Sequence, residues 1–502
     1  MSYWKNTVLN YIGIIITTLI AFFANPMLIN TMGDDSYAVF RLVVFTVVTY
    51  ACLFDMGIGV ATNRLFAKFY YKNDIKEANA VISSSLVFYS LMWIVILILM
   101  VVLSFTLPDI LRLDEKYHVP FYCLMFATSV YILFKLYSSI LQCIFTVLSR
   151  YDLIQAMNVI ERGVLYIGAL IIIPLFSEKI YATVVSTLFA SFLTFIFGFF
   201  LLKKFWKNIK LNFSFFDFRV LKNMLSFGIF GMLVLVGPIV LNQTQPILIS
   251  RYLGLAEVSY FSVVLLLYST LATITAAMCS SLYPFVLKAK SENNMREVAS
   301  IYTSTIRRSL LLVVVILIPL MGFGDVFLCY WVNIEYKSCW DILIVVCMSI
   351  SLMPMTIVSN YVLNGAGEIK FLALFSILSA IICLSINIFL LKYTQMALMA
   401  SAISFAIPYS LRGIASCAYA CVQLKINVCK FIIKYFISVI PCVLIGTVVV
   451  YFLRCYLLPT NLFQVFLYSS FVGVLILISG YFFVVDKKDF DLIHAYINKI
   501  KS

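Results

Sequence analysis

Charge is what this sequence has least of. Asp, Glu, Lys and Arg make up 12% of its 502 residues, against about 25% in a typical soluble domain. Histidine is nearly absent, with His118 and His494 far apart in the chain. The 13 cysteines form no CxxC pair and no Cys/His cluster, and most, such as Cys52, Cys123, Cys143, Cys279 and Cys383, fall inside apolar runs. Thiols in such settings behave as small hydrophobes. The pattern argues against a zinc centre and a disulfide framework, and it implies no cofactor. Polar stretches long enough to fold as a separate domain are also missing, which leaves no room for an extramembrane catalytic domain.

What fills the chain is apolar: 63% of its residues are hydrophobic, against about 45–50% in soluble proteins. The bilayer is the solvent that accepts such a composition. A span needs about 20 apolar residues, and fourteen candidates are legible: 7–30, 36–61, 81–107, 118–146, 154–176, 179–202, 223–251, 256–286, 305–331, 338–364, 370–392, 395–422, 430–453 and 462–485. The expected fold class is therefore an all-α integral membrane protein. The weakest spans are 305–331, with Pro319, Gly322, Gly324 and Asp325, and 154–176, with Glu161 and Arg162. The first run follows Lys5 and lacks a small-residue cleavage site, so it reads as a span rather than a leader.

The charges between spans test this topology. With the N-terminus inside, 25 Lys and Arg residues fall on the inner side and 7 on the outer. That asymmetry places both termini in the cytoplasm and supports an even number of spans. The net charge of +14 thus belongs to membrane loops, not to a nucleic-acid-binding face. The basic gap 203–222 is the best linker between halves. Pro26-Met27-Leu28-Ile29, with Gly33 and Tyr37 after it, is echoed by Pro246-Ile247-Leu248-Ile249, with Gly254 and Tyr260. That spacing spans six helices, so the copies run in the same orientation.

Six ionisable groups remain within the spans: Arg41, Asp55, Lys135, Glu161, Arg162 and Arg412. Each costs about 2.5–3.5 kcal/mol at mid-bilayer unless it faces protein or water, and such groups by default mark a substrate or ion path. Thr128, Tyr131, Lys135, Ser138 and Gln142 form one polar stripe on a helix. Ser404, Pro408, Arg412, Ser416, Tyr419 and Gln423 form another, and Gln155, Asn158 and Arg162 a third. Polar stripes on several helices imply a shared aqueous cavity. The structural alternatives stay open. Arg41 is placed to snorkel, Asp55 to cap its helix or pair with Arg64, and Glu161 and Arg162 to pair with neighbouring helices. Lys135 and Arg412 lie deepest.

Four of the six groups are cationic. Guanidinium forks suit phosphate, and a pyrophosphate head group fits such a cavity. Asp55 and Glu161 are then the candidates for a coupling proton or sodium ion. Asn242, Gln243 and Gln245, between Pro238 and Pro246, suggest a bent helix with an exposed polar stretch. Pro354, Asn360 and Asn364 suggest a second bend.

These residues carry a resemblance. Asn10 and Pro26, then Met32-Gly33-Asp34-Asp35-Ser36-Tyr37-Ala38, approximate an "LG…YG" corner, with Met32 and Ala38 replacing its leucine and second glycine. Asp55-Met56-Gly57-Ile58-Gly59 followed by Arg64 approximates a "DxGxG…R" segment, and Leu253-Gly254 through Tyr260 and Asn364-Gly365-Ala366-Gly367 add to it. The sequence resembles the polysaccharide transporter family, the Wzx-type O-antigen flippases, within the superfamily that includes MATE exporters and lipid II flippases.

The resemblance implies two six-helix lobes, 1–210 and 211–424, around a central cavity, with two C-terminal helices and a tail in 425–502. It implies a bacterial inner-membrane flippase and a substrate carried on undecaprenyl pyrophosphate, besides membrane lipids. Arg41, Lys135, Arg162 and Arg412 would line the cavity. A polysaccharide polymerase and a chain-length regulator are the protein partners it leaves room for. The expected activity is alternating-access transport without covalent chemistry. The rivals are a multidrug or organic-cation exporter, whose site should favour carboxylates and aromatics, and a membrane polymerase, which usually carries a sizeable outer loop.

Overall fold

A computed structural model describes residues 3–279 and 295–484, together with 282, 286 and 289. Lys288, Lys290, His494 and the tail lysines Lys487, Lys488, Lys499 and Lys501 lie outside the described residues. The described residues hold fourteen helices long and apolar enough to cross a membrane. We label them α1 (Val8–Met32), α2 (Asp34–Asp55), α3 (Ile75–Leu111), α4 (Glu115–Val147), α5 (Tyr151–Leu175), α6 (Ile180–Phe205) and α7 (Met232–Tyr252). The series continues with α8 (Leu255–Cys279), α9 (Met295–Trp331), α10 (Ile334–Ala366), α11 (Ile369–Tyr393), α12 (Leu398–Gln423), α13 (Val428–Tyr456) and α14 (Leu462–Phe483). The protein is a multi-pass, all-α membrane protein, and each expected span has its helix.

Run length sets where these helices lie, and short polar side chains set where several begin. Asp74, Asn333, Asn427 and Asn461 each accept a hydrogen bond from a backbone N–H two or three residues on. They satisfy donors that have no partner within the helix. α9 is continuous through Pro319, Gly322, Gly324 and Asp325. Tertiary partners described below offset its unfavourable composition.

The second span ends earlier than expected. It stops at Asp55, where Met56 (φ 46°) and Gly57 (φ 76°) enter the left-handed region. A separate helix, Ile58–Tyr71, follows. Glycine occupies that conformation without the steric cost of a Cβ, so the expected 36–61 run divides at Met56-Gly57. The region around Pro238 and Pro246 is helical throughout, within Phe218–Tyr252.

Internal contacts group the chain into two compact units, Met1–Ser262 and Val263–Ser502. In the first, α4 packs extensively on α6 and on α3, and α1 packs on α5. Its core on the side of the loops after α2, α4 and α6 includes Phe66, Val81, Leu86, Leu141, Phe145 and Met157. In the second, α11 packs on α12, and α10 packs on α12. The last hairpin, α13 and α14, packs on α9.

Candidate functional site

The first unit gathers four of the six intramembrane charges at the meeting of α2, α4 and α5. Lys135 Nζ lies 2.5 Å from Glu161 Oε1 and 3.3 Å from Tyr131 Oη. The Tyr131 hydroxyl donates to the same Glu161 oxygen. The Glu161 side chain is 9% exposed and that of Lys135 is 39% exposed. The carboxylate is thus enclosed, while the ammonium keeps an open side.

The polar stripes of α4 and α5 meet each other here. Gln142 Nε2 donates to Asn158 Oδ1 at 3.2 Å, Asn158 Nδ2 to Gln155 Oε1 at 3.4 Å, and Gln155 Nε2 to Asn10 Oδ1 on α1 at 2.8 Å. Much of the polarity read as cavity lining is therefore spent between helices. In a bilayer, polar side chains lower their cost by bonding to one another. Glu161 does pair with a neighbouring helix. Lys135, expected to line the cavity, meets an acid.

Arg41 and Arg162 are held differently. The Arg41 guanidinium sits 4.3 Å from the centre of the Phe45 ring. Phe45 stacks on Tyr166 with 6.0 Å between centroids and 23° between planes. Tyr166 in turn lies beside Arg162, four residues earlier on the same helix. The result is a chain of guanidinium, ring, ring and guanidinium. Both rings sit in π-helical turns, Arg41–Val47 and Gly163–Gly168. A π turn inserts a residue into the helical ladder and often accompanies function. Here it redirects the side chains one turn after each arginine. Sequence reasoning missed these turns. Gly163 and Gly168 were the only local signal in α5, and α2 carried none. Among the described residues, neither Arg41 nor Arg162 has a carboxylate within ion-pair distance. Arg162 is exposed.

Asp55 lies apart from this cluster. Its carboxylate accepts from the Tyr89 hydroxyl at 2.5 Å and from Gly59 N at 3.2 Å. It closes the turn between α2 and Ile58–Tyr71 as a helix cap, with Tyr89 as its partner rather than Arg64. Between α2 and α7, Thr46 donates to Gln243 Oε1 at 3.4 Å, and Tyr50 and Thr244 share a 2.5 Å hydrogen bond. Asn242 Nδ2 returns to Pro238 O at 2.7 Å. Gln245 is buried. The α7 polar stretch therefore faces α2 in part, at Thr46 and Tyr50, five and nine residues beyond Arg41.

In the second unit, Arg412 on α12 is 5% exposed. Its neighbours are Tyr268 and Tyr409, whose rings meet edge to face at 5.4 Å. No acid lies within ion-pair distance of Arg412 among the described residues. Asn360 Oδ1 and Ser416 Oγ nearby on α10 and α12 are buried without a hydrogen-bond partner. Asn364 lies at the end of α10, where its carbonyl accepts from Gly367 N at 3.1 Å.

The second unit also contains an ion pair that the sequence reading divided between a span and a loop. Arg454 on α13 grips Asp325 on α9 through both nitrogens, at 3.1 and 2.8 Å. It also donates to Gly322 O and lies 4.8 Å over Trp340. A Cβ at Gly322 would collide with Val450, so glycine there permits the close approach of α13. This pair explains how α9 tolerates Asp325.

Known structures share this fold of fourteen membrane helices. The chain aligns with the lipid II flippase MurJ (TM-score 0.73, 15% identity, 95% of this chain and 98% of that one). An inward-facing multidrug-resistance MATE transporter gives a TM-score of 0.71 at 15% identity, over 84% and 98% of the two chains. A Shigella flexneri protein named "Putative O-antigen transporter" is 22% identical over 419 residues, which is 81% of this chain and 95% of that protein. The chain belongs to the polysaccharide biosynthesis protein family, which it matches over residues 3–289. The resemblance drawn from Gly33, Asp55 and Gly57 is thus borne out.

Proposed function

We propose that this protein is a flippase. It carries an oligosaccharide linked to undecaprenyl pyrophosphate from the cytoplasmic to the periplasmic leaflet of the bacterial inner membrane. The carrying observation is the excess of guanidinium over carboxylate inside the bilayer. Arg41, Arg162 and Arg412 have no acid within ion-pair distance among the described residues. Both carboxylates of the six are occupied, Glu161 by Lys135 and Tyr131, and Asp55 by Tyr89 and Gly59 N. Unpaired guanidinium in a low-dielectric setting is costly, and a phosphorylated anion offsets that cost with bidentate hydrogen bonds. Family membership and the MurJ-like fold favour the same reading.

In this mechanism the two lobes, 1–210 and 211–424, alternate access to a shared cavity. The pyrophosphate engages the arginines while the lipid tail stays in the bilayer. Lys135, backed by Glu161, offers its open side to the anion. Glu161 and Asp55 are the groups through which a proton or sodium ion would couple. Asn242, Gln243, Gln245, Asn360 and Asn364 supply polar lining and hinge positions. The organic-cation exporter is the weaker reading, because four of the six intramembrane charges are cationic. A polymerase is weaker still, because the described odd-numbered connections, such as 112–114 and 332–333, are too short to carry a catalytic constellation.

The test is Arg412→Ala in cells that depend on this gene for surface polysaccharide. The expected outcome is loss of the polysaccharide and accumulation of the lipid-linked precursor on the cytoplasmic side, with normal amounts of protein. Wild-type polysaccharide in both Arg412→Ala and Arg162→Ala would overturn the anionic-substrate reading.

A further inference from the structure

The connection between α6 and the helix Phe218–Tyr252 is built in two layers. Its inward layer is fixed to α3. Asn79 donates to Asn208 O at 3.1 Å and accepts from Lys210 N at 2.9 Å. Ser83 donates to Asn212 O at 2.6 Å, and Ser84 exchanges hydrogen bonds with the backbone of Asp217 at 3.1 and 3.2 Å. Leu202, Ile209, Val220, Leu221 and Met224 turn into the core beside Val81 and Ile82.

The outward layer has a different chemistry. Lys203, Lys204, Lys207, Lys210, Arg219 and Lys222 are all exposed. Between them stand Phe205, Phe213, Phe216 and Phe218, from 42% to 67% exposed. One acid is present, Asp217, and its carboxylate is engaged by Arg219 N at 2.7 Å. A topology signal needs only the lysines. It does not need four phenylalanines held outward on a backbone tied down by side chains of α3, when apolar core lies on the other side of the same segment. Cations alternating with exposed aromatics suit a surface that is anionic at its headgroups and apolar just beneath.

We infer that segment 203–222 is a fixed docking surface for anionic phospholipid headgroups. The six cations contact the headgroup phosphates, and Phe213, Phe216 and Phe218 enter the acyl boundary. The charge asymmetry of the loops puts this surface at the cytoplasmic leaflet. The inference stands apart from the identity of the transported substrate, because the segment holds none of the intramembrane charges.

The test uses the full-length protein in nanodiscs of phosphatidylcholine alone, or of phosphatidylcholine and phosphatidylglycerol in equal parts, read by amide hydrogen exchange. The expected result is several-fold slower exchange across 203–222 in the anionic discs. The protection should vanish in about 1 M salt, where the Debye length is about 3 Å. Replacing Lys203, Lys204, Lys207 and Lys210 by Gln should abolish the lipid dependence while amides of α4 and α9 keep theirs unchanged. Phe213→Ser with Phe216→Ser keeps every charge, so it tests the aromatic half even if the lysine variant inserts poorly; it should weaken the protection. Equal exchange in the two lipids would overturn the inference. So would protection by soluble inorganic pyrophosphate in zwitterionic discs, which would make the segment a binder of free or substrate phosphate.

Discussion

Truncating Arg454 should destabilise the protein out of proportion to its place at the end of a span. The residue provides two hydrogen bonds to Asp325, a third to Gly322 O, and a cation–π contact with Trp340. The Asp325 side chain is 8% exposed and that of Arg454 is 33% exposed. Removing one partner of a buried pair costs about 3–5 kcal/mol, because the other charge stays buried without compensation. Arg454 is one-third open, so water can enter the space left by its side chain. The expected cost of Arg454→Ala is therefore about 1 kcal/mol less, roughly 2–4 kcal/mol. Arg454→Lys keeps the charge but loses the fork, and should cost about half as much. Replacing both residues by Leu removes the buried charges together and should return most of the stability. The assay is reversible unfolding in mixed micelles, followed by fluorescence, with a double-mutant cycle across Arg454 and Asp325. Single variants within about 0.5 kcal/mol of wild type, or a double variant worse than the sum of the singles, would refute the argument that this pair fixes the last hairpin to α9.

Two further predictions concern the cluster in the first unit. Glu161→Gln should impair folding only modestly, since Lys135 can turn its half-open ammonium to water, at a cost of about 1–2 kcal/mol. The same variant should alter how transport depends on the proton or sodium gradient, as measured by precursor flipping in proteoliposomes; an unchanged dependence would remove Glu161 from coupling. Phe45→Leu removes the ring beneath the Arg41 guanidinium, so it should raise the substrate concentration needed for half-maximal transport, with Phe45→Trp restoring it. A lower maximal rate at unchanged half-saturation in Phe45→Leu would mean that the ring serves structure instead.

Hydrophobic run length by itself determined the fourteen spans, since only a helix of about 20 apolar residues crosses a bilayer with its backbone satisfied. It also located Arg41, Lys135, Glu161, Arg162 and Arg412, because a charge interrupting such a run is visible without coordinates. The Gly57 turn and the segment beginning at Asp55 were legible as a motif, although the cap by Asp55 was one of two options. Tertiary structure decided which of these charges are neutralised. Lys135 meets Glu161 because α4 and α5 pack with their polar stripes together, and the angle between adjacent helices is not encoded in either stripe. Arg454 read as a loop cation, and only the approach of α13 to Gly322 showed that it compensates Asp325. The π turns beside Arg41 and Arg162 were equally hidden, since one inserted residue leaves composition and mean periodicity almost unchanged. Covalent spacing along one helix is fixed by the chain; pairing between helices depends on packing, and it is packing that separates a charge with an opposite partner from one without.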